Sequence, residues 1–293
     1  MANETVASGV EELIPTEKIG AWVQGYPRAP RTFETVGWLQ YEPELGSVPF
    51  RFPRAQAFAV PAGTKTEAAE FTRVAFTTAE SSITPGIVGF ELAITDESAK
   101  SSVLGRGFSP QIVAETVEAL QDRKDSDGLA SIASATNTMG AESDSFTLDH
   151  LVNALGQWAA LNNRSGPMGD CAIIRSSSYT ALMRDIIATS GPAAAVGAAG
   201  MFGTSSGYKT EYLGCHIFTT SNVPAHGAGY SNCVTGIGNG FCGLGQVIVE
   251  DVKAGASERG SEGQRSAESY TVVRAWYGSG VANPDKVLEV LSA

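Results

Sequence analysis

The 293 residues carry 20 basic and 31 acidic side chains, a net charge of −11, so the clustered excess of Lys and Arg that drives phosphate binding by counter-ion release is missing and a basic nucleic-acid clamp is excluded. With 43% hydrophobic residues the chain can fill one or two packed cores and is no disordered polymer. Charged residues are only 17%, against about 25% in a typical globular protein, and glycine supplies 33 residues where about 7% is usual, a balance ill-suited to a freely diffusing monomer.

The first fifteen residues, ending at Pro15, lack the basic start and apolar run of a secretory signal. Residues 1 to about 49 set Trp22, Tyr26, Phe33, Trp38 and Tyr41 among Pro15, Pro27, Pro30, Pro43 and Pro49, with neither a helical nor a strand period, which predicts an extended arm. Two strand-like runs follow, 54–60 and 69–78, separated by a turn-rich linker that begins at Pro61-Ala62-Gly63. They predict a long hairpin. An isolated hairpin is marginal in water, so Phe58, Phe71, Val74 and Phe76 need another surface to cover them. Arm and hairpin carry no predicted helix and fit poorly into a compact monomer.

From Ser109 the pattern turns helical. Ser109 can cap, Pro110 suits the first helical position, and Ile112, Val113, Val117 and Leu120 share one face. A bend is expected over 125–128, with the helix resuming through Leu129, Ile132 and Ala133. A second helix after Thr147 places Leu148, Leu151, Val152, Leu155, Trp158 and Ala159 on one stripe and stops before Ser165-Gly166-Pro167. A buried strand over 171–175 leads into a third helix that carries Tyr179, Leu182, Met183, Ile186 and Ile187 and ends at Gly191-Pro192. The charge-free stretch 186–208 has the length of a membrane helix, but its Ala, Gly, Ser and Thr, with Pro192 inside, are too polar to span a bilayer. Strands are expected over 212–220, 246–252, 270–276 and 287–291, with glycine-rich loops at 193–207 and 225–240 and a polar loop at 254–267. The class is α+β.

Motifs for chemistry fail on context. Gly238, Gly240 and Gly243 match the dinucleotide pattern GxGxxG, which needs a strand before it and a helix N-terminus after it; here 246–250 reads as a strand. Gly203, Ser205 and Gly207 match GxSxG, but no strand leads in and no helix leads out. His150, His216 and His226 stand apart from this serine and from any evident carboxylate partner. Cys171, Cys215, Cys233 and Cys242 show no CxxC spacing and read as free thiols, and adjacent Cys215 and His216 point to opposite faces of a strand. No catalytic residue, cofactor site or metal ligand is assigned.

The succession of features resembles the major capsid proteins of tailed bacteriophages, with the Hong Kong 97-type fold. It runs through the arm, the loop with its acidic stretch Thr66-Glu67-Ala68-Ala69-Glu70, and residues 90–97, similar to the family's entry into a spine helix. The long helix through Leu120, the strand and helix over 172–182, residues 207–224 with their closing Val223-Pro224, and the tail 277–288 complete it. The resemblance implies an arm over 1–45, an extended β-hairpin loop over 46–82, a peripheral domain with spine helix over 83–165, an axial domain over 166–267 and C-terminal strands over 268–293 returning to the peripheral domain. It implies no enzyme and no cofactor. Instead it implies self-assembly through pentamers and hexamers into an icosahedral shell around phage double-stranded DNA, in the virion, after assembly in the host cytoplasm.

Expected partners are further copies of the chain, with scaffolding, portal or decoration proteins, and DNA held without sequence-specific contacts or a membrane. Inter-subunit contacts are expected from Trp22, Tyr26, Phe33 and Trp38 of the arm and from Arg51, Arg54, Phe58, Lys65, Glu67, Glu70, Phe71, Arg73 and Phe76 of the loop. Some family members cross-link through a loop lysine; Lys65, near the hairpin tip, reads instead as a solvated turn residue. Alternatives are an encapsulin-like nanocompartment shell, against which the Pro-rich arm argues, and a soluble glycine-loop oxidoreductase.

Overall fold

The computed structural model describes residues 30–55, 78–95, 108–162, 170–190, 208–256 and 268–293. Within them the elements are α1 (Phe33–Val36), β1 (Trp38–Tyr41), β2 (Phe50–Ala55), β3 (Thr78–Ile83), β4 (Gly86–Thr95), α2 (Phe108–Ala130), β5 (Asn137–Gly140), α3 (Leu148–Leu161), β6 (Asp170–Arg175) and α4 (Ser176–Ser190). There follow β7 (Tyr208–Tyr212), β8 (Cys215–Thr220), β9 (Ala225–His226), β10 (Gly229–Gly236), β11 (Leu244–Ala256), β12 (Glu268–Val281) and β13 (Val287–Ser292). Short 3-10 turns occupy Ser131–Ser134 and Pro284–Lys286.

A seven-stranded sheet has the order β5-β13-β10-β6-β8-β7, with β9 paired to β10. Its middle strand β6 is buried from Asp170 to Ile174, which is why it reads as a continuous run rather than an alternation: both faces are covered. Ala172 and Ile174 face α3 and α4, packing with Leu151, Leu155, Trp158, Leu182 and Ile186. Cys171 and Ile173 face the other way, into a core with Phe33, Val36, Leu129, Ile132 and Leu244. The helix expected after Thr147 is α3, and Thr147 caps it by accepting from the His150 N–H, 3.4 Å away. Val152 and Ile187, expected on the buried stripes, are exposed at the margins of their helices.

A four-stranded sheet, β1-β11-β12-β4, carries α2 on one face through Leu120, Ile248, Val273, Ala275 and Tyr277. The two-stranded ribbon β2-β3 stands on this sheet: Phe52 and Ile83 pack on Val247 and Ala282, and the Trp38 and Phe52 rings meet edge-on at 4.9 Å. A Cβ on Gly280 would lie 3.1 Å from Ile83 Cγ1, so the absence of a side chain lets the ribbon seat closely.

Several expectations are corrected. The helix over 108–130 runs through 125–128 without a break. Gly128 is there for clearance, since a Cβ would sit 2.5 Å from the Phe33 ring, and Asp125 is held by two donors instead of capping a turn. The arm contains a helical turn, α1. Residues 90–95, expected to lead into the spine helix, are the end of strand β4, the described element that precedes α2. The stretch 212–220 is the end of one strand, a turn at Leu213-Gly214 and a second strand. The expected glycine loop at 225–240 holds β10, which lies between β13 and β6. Its small polar residues look loop-like only until their partners are visible. Asn232 Nδ2 donates to Ser292 Oγ at 2.8 Å while its Oδ1 accepts from the Arg175 N–H at 2.8 Å, and Thr235 Oγ1 donates to the Lys286 carbonyl at 2.7 Å.

The sheets also cut across the expected divisions. α3, expected with the spine helix, packs on the seven-stranded sheet. β11, expected with the axial segment, is in the four-stranded sheet, and the C-terminal pair divides, β12 joining the four-stranded and β13 the seven-stranded sheet.

Candidate assembly surface

The N-terminal segment enters along α2. Arg31 forms an ion pair with Glu118, and its Nε lies 3.9 Å from Asp122. Asp125 accepts from the Phe33 N–H at 2.7 Å and from Asn222 Nδ2 at 3.1 Å. Burial raises the Asp125 carboxyl to about 6, against the lowering effect of those two hydrogen bonds and with help from the nearby carboxylates of Glu34 and Asp122. Beside it Lys124 is buried between Asp251, at 2.9 Å, and Glu34, at 3.6 Å. Phe33 is therefore committed inside its own chain: at 0% exposure it has no surface left for a neighbour. Burying such a ring is worth about 2 to 3 kcal/mol. Trp38 is half-buried in the same core and in the root of the ribbon.

The ribbon is the element that leaves the globule. Its register pairs Phe50 with Ile83 at the sheet end and Ala55 with Thr78 at the far end. Arg51 pairs with Glu80 at 2.9 Å, both side chains well exposed, so the pair adds little to stability. Arg54 lies opposite Ala79. Trp22, Tyr26, Phe58, Lys65, Glu67, Glu70, Phe71, Arg73 and Phe76 lie outside the described residues. Sequence reasoning missed Phe52 and Ile83, which anchor the ribbon; the signal was available as Phe50 and Phe52 in alternation just before the expected strand.

Strand edges and apolar side chains remain open on the surface. Among the described residues β4 is paired on one side only, by β12, and shows Ile87, 67% exposed, and Phe90. Among the described strands β7 also lies at an edge, that of the seven-stranded sheet. Val48, Leu213 and Phe241 are also at least half exposed. Long unpaired edges that carry apolar side chains, as β4 does with Ile87 and Phe90, are features a folded monomer avoids and an assembling subunit uses.

Nothing in the described residues is arranged for bond chemistry. A cavity of about 470 Å³ lies between the end of α2, β12 and β4, lined by Val88, Asp127, Ser131, Tyr277 and Val281 among others. Its Tyr277 hydroxyl donates to Asp127 Oδ2 at 2.7 Å, and burial followed by that bond pushes the phenol upward, away from reactivity. All four cysteines are free and buried; burial raises each thiol, Cys215 to about 12. His226 lies between Glu142 and Glu289, and the buried Glu289 also accepts from Ser231 and Thr138, so that His226 and Glu142 form the half-exposed end of a polar cluster. Among the described residues no group of three or more His, Cys, Asp or Glu could hold a metal ion, and no helix is long and apolar enough to cross a membrane. The Gly238 to Gly243 turn is followed by β11 rather than a helix, and 203–207 lies outside the described residues.

No family profile matches the sequence, and no curated protein matches it. Solved structures do. The chain is similar over its whole length, and over 97% of the other chain, to the capsid of the cyanophage P-SCSP1u, with a TM-score of 0.65 at 16% identity. It is similar over 100% of both chains to the capsid of a native GTA particle, with a TM-score of 0.65 at 10% identity. It also matches the head structure of Helicobacter pylori bacteriophage KHP40 over 94% of this chain and 93% of that one, with a TM-score of 0.62 at 12% identity. The chain has the phage capsid fold. The expected α+β class and fold family are thereby borne out, and the match is end to end. In this capsid fold the two sheets share one continuous core, through Phe33, Leu129, Ile132 and Leu244.

Proposed function

We propose that the chain is a major capsid protein that self-assembles through pentamers and hexamers into an icosahedral shell around double-stranded DNA. The observation that carries this reading is the capsid fold matched over 100% of the chain. The open edges of β4 and β7 and the exposed apolar residues support it, because they gain partners in a lattice. The paired base β2-β3 supports reading 46–82 as an extended loop that lies on a neighbour and 1–45 as an arm whose first part reaches another subunit. The helix α2 serves as the spine. The seven-stranded sheet with α3 and α4 serves as the axial part, and the glycine-rich 193–207 suits the crowding of copies at a symmetry axis.

Contacts of this kind are heterologous, and they close into rings and then a shell. The net charge of −11 suits a wall past which a motor drives DNA without sticking. Scaffolding, portal or decoration proteins are the further partners, and the virion is the location.

Size-exclusion chromatography followed by negative-stain electron microscopy of the purified chain tests the reading. Shells, tubes or capsomer rings are expected; a compact 30.5-kDa monomer persisting at high concentration refutes it.

A further inference from the structure

We infer that Leu213 is a contact residue through which one copy of this chain seats on a second copy, an inference that rests on the capsid reading above. β7 and β8 are joined by a two-residue turn, with Tyr212 opposite Cys215. Both residues of the turn have positive φ, 54° at Leu213 and 75° at Gly214. This is the pattern of a type I′ turn, whose first central position is normally Asn, Asp or Gly. A side chain with a Cβ crowds the following carbonyl there, a burden of roughly five- to thirtyfold in the folding equilibrium. Among the described residues Leu213 is the only non-glycine residue with positive φ.

Burial within the described fold offsets that burden only in part, because half of the Leu213 side chain remains exposed. One residue thus combines an unfavourable backbone conformation with a large apolar group half in water. Each feature weakens the isolated subunit, and both are accounted for when a surface outside the chain covers the side chain. The tip's chemistry indicates which surface. At the tip Tyr212, Leu213 and Gly214 carry no charge, and the nearest acidic group, Glu211, lies one pair further down the hairpin opposite His216, so the tip itself suits neither a phosphate backbone nor a charged peptide. A chain of net charge −11 repels its own copies wherever carboxylates meet, so an uncharged apolar knob is where a second copy can approach. β7 is an edge strand, which puts the tip at the margin of the sheet, within reach of a neighbour without disturbing the core.

The test uses the full chain with Leu213→Asn and, as a second variant that also suits the turn, Leu213→Gly. Unassembled subunits, held below the assembly threshold, are compared by urea unfolding; particle formation is followed by light scattering against protein concentration. Both variants are expected to unfold at a urea concentration no lower than the wild type. Both are also expected to need about fivefold more protein to form particles, the loss expected from no longer burying the exposed half of a leucine. An unchanged threshold overturns the inference. So does a marked loss of subunit stability in both variants, which would mean that Leu213 is covered by its own chain. The wild type separates the two readings: if it forms no particles the capsid reading falls, and this inference with it. If it forms particles at the same threshold as both variants, only the role of Leu213 falls.

Discussion

Replacing Asp125 by Asn should stabilise the subunit at neutral pH and should do so less as the pH falls. Asp125 is 1% exposed, and its carboxyl is raised from 3.8 to about 6, chiefly by burial. A difference of about two pH units corresponds to ~3 kcal/mol by which folding with a charged Asp125 is less favourable than folding with a neutral one. The folded state holds this proton more tightly than the unfolded chain. The corresponding stability is therefore fully present below about 4 and is lost as the pH rises through about 6. Asn is neutral throughout. Its Oδ1 still accepts from the Phe33 N–H, and Asn222 can turn its amide to offer an oxygen to the new NH2 group. Urea unfolding followed by tryptophan fluorescence, between pH 4.5 and 7.5 and below the assembly threshold, measures the difference between variant and wild type. That difference should grow with pH by up to ~1.4 kcal/mol per unit and level off near ~3 kcal/mol above pH 7. A difference that is independent of pH, or that grows towards acid, refutes the reasoning.

Gly128→Ala should lower stability by about 1 to 3 kcal/mol despite the better helix propensity of alanine, because its Cβ would meet the buried Phe33 ring at 2.5 Å; an unchanged urea midpoint would show that α1 shifts freely. Replacing residues 56–77 by Asn-Gly, a turn suited to joining the opposed Ala55 and Thr78, should leave a folded subunit that no longer forms particles. An unfolded product on circular dichroism would place the loop in the intrinsic core. The four thiols should resist an aromatic disulfide reagent at pH 8 in the native protein and react, all four, in urea, since each is buried and protonated. Rapid native labelling of any of them would contradict the packing of the central sheet.

Where the apolar pattern was periodic, the fold was legible. The Thr147 cap and the stripe Leu151, Leu155, Trp158 define α3 from local rules alone, and the run Cys171 to Ile174 marks a strand covered on both faces. The succession of such elements also led to the capsid fold. The loop-like readings failed for one reason, that small and polar residues change meaning when they are buried. Asn232 and Thr235 suggest a turn until their partners on β13 and beside Lys286 are in place, and Gly128 suggests a break until the Phe33 ring lies against it. Of the candidate assembly residues, Phe33 packs inside its own chain, which no local pattern announces: the residues beside it in sequence are polar or charged, while its neighbours in space are Leu129 and Ile132.

The charge of −11, the glycine excess and the order of helices and strands follow from composition and local periodicity, and they exclude a basic nucleic-acid clamp; the assembling shell subunit is what the resemblance of that order to tailed-phage capsid proteins implies. Which strands share a sheet, how Lys124 and Asp125 tie the N-terminal segment to α2, and which apolar side chains stay exposed at Leu213 and Ile87 were decided only by the tertiary structure. Pairing and burial join residues far apart in the chain, so no local pattern encodes them.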